Sequence, residues 1–202
     1  MTTSVATLVA AGAVTPALAA TAAPTAATAV GDPVVVREGR DARAAGGPDL
    51  TRVQLGRADD GRLRGALTLA EPWTAGSLMA EPGAEQPAPP GSVCLRLWTR
   101  SPTRGAPADF LVCITATRDG ERLTGSVLRE GENGLLRRVG QATVGRTSTR
   151  TATLRFSQSA IGRPARVRFA AEATRAGCPR TSCVDTAPDA PQTATLVLRG
   201  TP

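Results

Sequence analysis

Val93-Cys94-Leu95-Arg96-Leu97-Trp98, followed after a loop by Asp109-Phe110-Leu111-Val112-Cys113, is the stretch on which the fold turns. Both segments are short and apolar and are separated by the Pro- and Gly-containing residues 100 to 107, the composition of two strands and a loop. Folding the second back onto the first in a symmetric register sets Cys94 opposite Cys113, and directly opposed strand positions lie within disulfide reach. The same register stacks Leu95 with Val112 and Leu97 with Phe110 on one face, which is expected to be the buried one.

Working outward, apolar residues keep a period of two rather than 3.6. Val53 and Leu55, Leu63, Leu67 and Leu69, Leu154 and Phe156, Val167, Phe169 and Ala171, and Leu196 and Leu198 alternate with Arg and Thr. Asp60-Gly61, Asp119-Gly120 and Asn133-Gly134 stand between such runs and supply the positive φ angles of tight hairpin turns. Strands are predicted near 50 to 58, 62 to 70, 92 to 99, 108 to 117, 122 to 129, 136 to 146, 150 to 157, 165 to 174 and 193 to 199. The fold class is therefore all-β: a single antiparallel β-sandwich or jelly roll of about nine strands, with disulfides. Four prolines between Ser77 and Gly91 mark a surface loop. Helix is confined to one short turn from Ser157 to Gly162, ahead of Arg163-Pro164.

The first thirty residues carry no charge and run through an apolar segment to Ala17-Leu18-Ala19. They read as a signal peptide over 1 to 19, cleaved after Ala19, although no basic residue precedes the apolar run. Residues 20 to 31, rich in Ala, Thr and Pro, read as a flexible leader, and 32 to 202 as one domain. Thr15 and Pro16 interrupt the apolar run, so no transmembrane span is expected. Cys94, Cys113, Cys178 and Cys183 are even in number, without a metal-type spacing or a histidine, which favours two disulfides and an extracellular, secreted monomer. Of the three possible connectivities, strand geometry favours pairing within each couple.

Histidine and tyrosine are absent and all 24 basic residues are arginine. That removes the usual general base, the Schiff-base amine and the phenolic acid, so Ser- and Cys-nucleophile chemistry lacks its activating partner. The net charge of +7 comes from arginines spread over nearly every strand without interleaved aromatics, which argues against nucleic acid. Carboxylates remain as acid-base groups. A glycosidase could run on two of them, yet Asp59, Asp60, Asp119, Glu130 and Glu132 flank hairpin turns, where acidic residues form turns.

Asp41 and Asp49 before the first predicted strand, and Asp185 and Asp189 before the last, are candidate calcium ligands if the terminal strands are neighbours. Their plainer role is to cap turns and balance Arg37, Arg40, Arg43 and Arg180; no other cofactor is indicated. Trp73 and Trp98 stand at strand ends, as core residues or disulfide shields, or alternatively as a sugar-stacking platform. A ring closed by Cys178 and Cys183 carries Arg180 at its tip, a geometry suited to a serine protease inhibitor.

Pro48-Asp49-Leu50-Thr51-Arg52-Val53, Ser159-Ala160-Ile161-Gly162-Arg163-Pro164 leading into Val167-Arg168-Phe169, and the segment from Asp185 to Asp189 resemble those of uncharacterised secreted actinobacterial β-sandwich proteins. More distantly, the chain resembles family-9-like carbohydrate-binding and DOMON-type jelly rolls. Haem, which the latter bind through Met and His, does not carry over to a chain without histidine. The functional expectation is a secreted, non-enzymatic module that binds cell-envelope carbohydrate or a secreted protein partner. A carboxylate-dependent glycosidase and an Arg180-presenting inhibitor are the alternatives.

Overall fold

The computed structural model describes residues 33–40, 48–80, 89–100, 106–131, 135–177 and 183–198. The signal segment, the leader, Asp41, Glu132, Asn133-Gly134, Cys178 and Arg180 lie outside the described residues. The described residues form eleven strands: β1 Val34–Arg37, β2 Leu50–Arg57, β3 Leu63–Leu69, β4 Ser92–Trp98, β5 Phe110–Ala116, β6 Leu123–Glu130, β7 Leu136–Arg146, β8 Thr151–Phe156, β9 Arg166–Thr174, β10 Val184–Ala187 and β11 Ala194–Val197. All nine predicted strands are present. β1 and β10 are additional.

Every pairing is antiparallel, in the order β1-β2-β3-β8-β7-β6-β5-β4-β9, with β10 and β11 both on the far side of β9. β10 pairs with Ala171–Thr174 and β11 with Arg166–Phe169, so the two behave as one edge strand interrupted after Ala187. Pro188 and Pro191 fall in that interruption, where residues without an N–H cannot continue a ladder.

The expected two-sheet sandwich gives way to one continuous, nearly closed, barrel-like sheet. The reason is β7. Its 136–142 portion pairs with β6 and its 143–146 portion pairs with β8, so a single long strand carries the sheet around the corner. A bulge in β7 accompanies the bend: Arg138 pairs with Leu128 and Gly140 with Val127, so Val139 is the extra residue. At the other seam the ends meet through side chains: the Leu50 N–H donates to Asp185 Oδ2 (2.6 Å), and the Asp189 N–H donates to Glu38 Oε1 (2.6 Å).

Cys94 pairs with Cys113, Leu95 with Val112 and Leu97 with Phe110, in the predicted register. Leu95, Leu97, Val112 and Ile114 point into the interior, where they join Leu55, Leu67, Leu154, Phe156 and Phe169 in a fully enclosed core. Gly125 admits β7 at close range. A Cβ there would run into the Ala142 carbonyl oxygen and lie 2.9 Å from Val144 Cγ2, so any side chain would push the two strands apart.

The turns follow local chemistry. Gly61 (φ 76°) and Gly120 (φ 72°) take the left-handed position, each donating its N–H back to Ala58 and Thr117 respectively. Ser157 caps a 3-10 turn at Gln158–Ile161 by accepting from the Ser159 N–H, and Gly162 (φ 82°) ends it. No helix among the described residues is long and apolar enough to cross a membrane.

Candidate functional site

Alternation puts every second residue of β4 and β5 on the outer surface, and there they build a second apolar cluster. Cys94, Trp98, Leu111, Cys113, Ala108 and Ala170 bury one another, with Leu128 against them. The Cys94–Cys113 disulfide staples this face. Trp98 is only 8% exposed; its indole N–H donates to the Ala106 carbonyl (3.0 Å), which ties the chain just before β5 to the end of β4. Asp109 Oδ2 accepts from the Thr99 and Arg100 N–H groups and fixes the same connection. Arg96 stacks 5.2 Å from the Trp98 ring centroid and lies 3.6 Å from the buried Glu172 carboxylate. Cys183 is also disulfide-bonded; Cys178, its proposed partner, lies outside the described residues.

Trp73 stands at the opposite end of the sheet and is also buried, at 6% exposure. Its indole N–H donates to the Arg150 carbonyl (2.9 Å), and its ring is covered by the Arg146 guanidinium, 4.6 Å from the centroid. Arg146 Nη2 also donates to the carbonyls of Trp73 (2.6 Å) and Thr149 (2.5 Å), so one side chain ties the segment after β3 to the β7–β8 turn. Neither indole offers an open face to a ring-shaped ligand.

A concave feature lies beside Trp73. In an antiparallel meander alternate turns share an end, so the β5–β6 and β7–β8 turns come together, and the end of β3 joins them because β3 pairs with β8. Pro72 to Ala75, Glu121 to Leu123 and Val144 to Thr149 line an open groove of about 790 Å³. Leu123 and Val144 give it an apolar floor that rests on the core. Arg122, Arg146, Thr147, Ser148 and Thr149 ring it with donors, and Glu121 is the single carboxylate in the lining. At its margin the Thr117 hydroxyl (2.5 Å) and the Glu121 N–H (3.0 Å) donate to Asp119 Oδ1; with the nearby Arg122 charge they hold that carboxyl below the usual aspartate range.

The other carboxylates are placed as follows. Asp59 and Asp60 border a smaller pocket of about 290 Å³ with Arg57, Arg64 and Arg155; Asp60 accepts from the Arg62 N–H (3.0 Å) and lies 3.9 Å from Arg155. Asp49 and Asp185 are brought beside one another at the seam, since Asp185 binds the N–H of the residue after Asp49. Asp49 Oδ1 is buried without a hydrogen-bond partner. Asp189 stands next to Glu38 through its N–H. No group of three or more His, Cys, Asp or Glu side chains that could hold an ion occurs among the described residues.

Arg122, Leu123, Val144 and Arg146 were not singled out by sequence reasoning. The usable signal was topological: predicted strand ends at 117, 122, 146 and 150 define two turns on the same end of a meander. The chain matches no protein-family model, no curated protein and no solved structure.

Proposed function

We propose that this protein is an exported, non-enzymatic binding module whose groove beside Trp73 takes an anionic glycan of the cell envelope. The observation that carries the reading is the pairing of Arg122 and Arg146 with hydroxyl groups around an apolar floor. Guanidinium forks and hydroxyls match the carboxylates and ring hydroxyls of an acidic sugar, and Leu123 and Val144 suit its C–H face. Both indoles are buried, so the groove holds its ligand without stacking on an exposed tryptophan. The lone carboxylate in the lining favours binding over hydrolysis by an acid pair. Cross-linked cysteines support an oxidising compartment, in line with the signal reading of residues 1 to 19.

Calorimetric titration with polygalacturonate, and with neutral dextran as control, tests the assignment. Binding of the acidic polymer alone, accompanied by a change in tryptophan emission and weakened about tenfold or more in Arg122→Glu, is the expected result. Equal binding of dextran, no binding, or indifference to Arg122→Glu overturns it. The N-terminus of the exported chain, read by mass spectrometry, is expected at Ala20.

A further inference from the structure

At the end of the sheet away from the groove, the first part of β7 is paired on one side only among the described residues. Its 136–142 portion pairs with β6, while β8 reaches only Thr143 to Arg146; the 3-10 turn that follows brings Ala160 close to Gly140, so the stretch without a second neighbour among the described residues is Leu136 to Val139. The phase of the free groups follows from one bond: the Gly131 N–H donates to the Leu135 carbonyl (2.9 Å). Hydrogen-bonded pairs alternate in an antiparallel ladder, so Arg137 bonds inward to β6, while Leu136 and Arg138 turn their N–H and C=O groups to the open side. Leu136 and Val139 are 42% and 40% exposed, and Arg137 and Arg138 are exposed beside them.

We propose that this edge accepts an extended, acidic peptide segment of a partner protein as an additional antiparallel strand. The main chain of β7 supplies the hydrogen bonds, and the side chains set the choice of partner. Leu136 and Arg138 share one face of the strand and Arg137 lies on the other; the Arg138 guanidinium reaches back over β6 to the Ser126 hydroxyl (Nη2, 2.6 Å), so Arg137 is the cation set beside the exposed Leu136 for an incoming strand. The complement is a strand that mixes carboxylates with aliphatic residues. A second copy of this chain is a poor occupant in the registers centred on Arg137 or Arg138, because a symmetric β7 pair then sets guanidinium against guanidinium. The alternative role of these arginines, guarding an edge against any added strand, predicts no binding at all.

The probe is a capped peptide of alternating valine and glutamate, titrated into the isotopically labelled full chain and followed by amide NMR shifts. Expected are shifts confined to β7 residues 136–139 and their β6 partners, loss of binding when alternate peptide amides are N-methylated, and affinity weakened about tenfold or more in Arg137→Glu/Arg138→Glu. The N-methylated peptide leaves the protein untouched, so the test stands even if the double variant folds poorly. No binding, equal binding of the N-methylated peptide, or shifts located elsewhere overturns the proposal. So does a concentration-dependent dimer joined through this edge.

Discussion

The Leu50 backbone N–H donates to Asp185 Oδ2 at 2.6 Å, and this bond joins the start of β2 to β10 where no strand pairing does. Leu50 is buried, so its N–H has no water to turn to if the carboxylate is removed. A hydrogen bond to a charged acceptor contributes about 1.5 to 3 kcal/mol, and an orphaned buried donor costs a similar amount. Asp185→Ala is expected to lower unfolding stability by about 2 kcal/mol. In urea titrations Asp185→Asn should lose less, since its amide oxygen still accepts.

Cys94 and Cys113 close a loop with a sequence separation of 19. Chain-entropy reasoning assigns a loop of that length about 3 kcal/mol. The double variant Cys94→Ala/Cys113→Ala is expected to lose about that amount, measured as a shift in the urea midpoint. The side chains also fill the outer cluster under Trp98, so a red shift of tryptophan emission should accompany the loss. An unchanged midpoint would show that the cluster, and not the crosslink, holds β4 to β5.

Cys94, Leu95 and Leu97 reveal why so much of the sheet was legible. Period-two alternation and a cysteine on each strand leave one sensible register, and a slip by one residue would turn Leu95 and Leu97 to the outside. β1 escaped because Val34-Val35-Val36 does not alternate and spans barely a turn of strand. β10 escaped because Asp185 and Thr186 interrupt its apolar signal; it is a strand by virtue of the β9 edge it lies against. Closure depended on β7 serving β6 and then β8, and the same sequence is compatible with a flat strand. The groove is a consequence of where turns meet: Arg122 and Arg146 are 24 positions apart and look alike to any local rule.

Asp119 gives the pH dependence its sign. The Thr117 hydroxyl and the Glu121 N–H favour the ionised carboxylate, so its folded-state pKa lies below the unfolded one. A depressed carboxyl contributes stability that is present above the unfolded pKa and lost as pH falls through the folded one. Wild type is therefore expected to be more stable than Asp119→Ala near neutrality, with the gap closing below about pH 4. Thermal midpoints of the two proteins across that range provide the measurement. A gap that persists unchanged into acid would mean that the turn geometry, and not the charge, is responsible.

Arg146 connects stability with the proposed ligand site, because the side chain that covers Trp73 also lines the groove. Removing it in Arg146→Ala takes away a stacked guanidinium and two hydrogen bonds to carbonyls at the partly exposed rim. The expected loss is about 1 to 2 kcal/mol. Arg146→Lys keeps the charge but has a single ammonium in place of a planar fork, so it cannot stack on the ring and bridge the Trp73 and Thr149 carbonyls together. Most of the loss should therefore remain. Acrylamide quenching of tryptophan emission reads the local effect directly: quenching should rise in both variants as the Trp73 ring becomes accessible. Quenching equal to wild type in Arg146→Ala would show that the indole bond to the Arg150 carbonyl is sufficient to keep the ring covered.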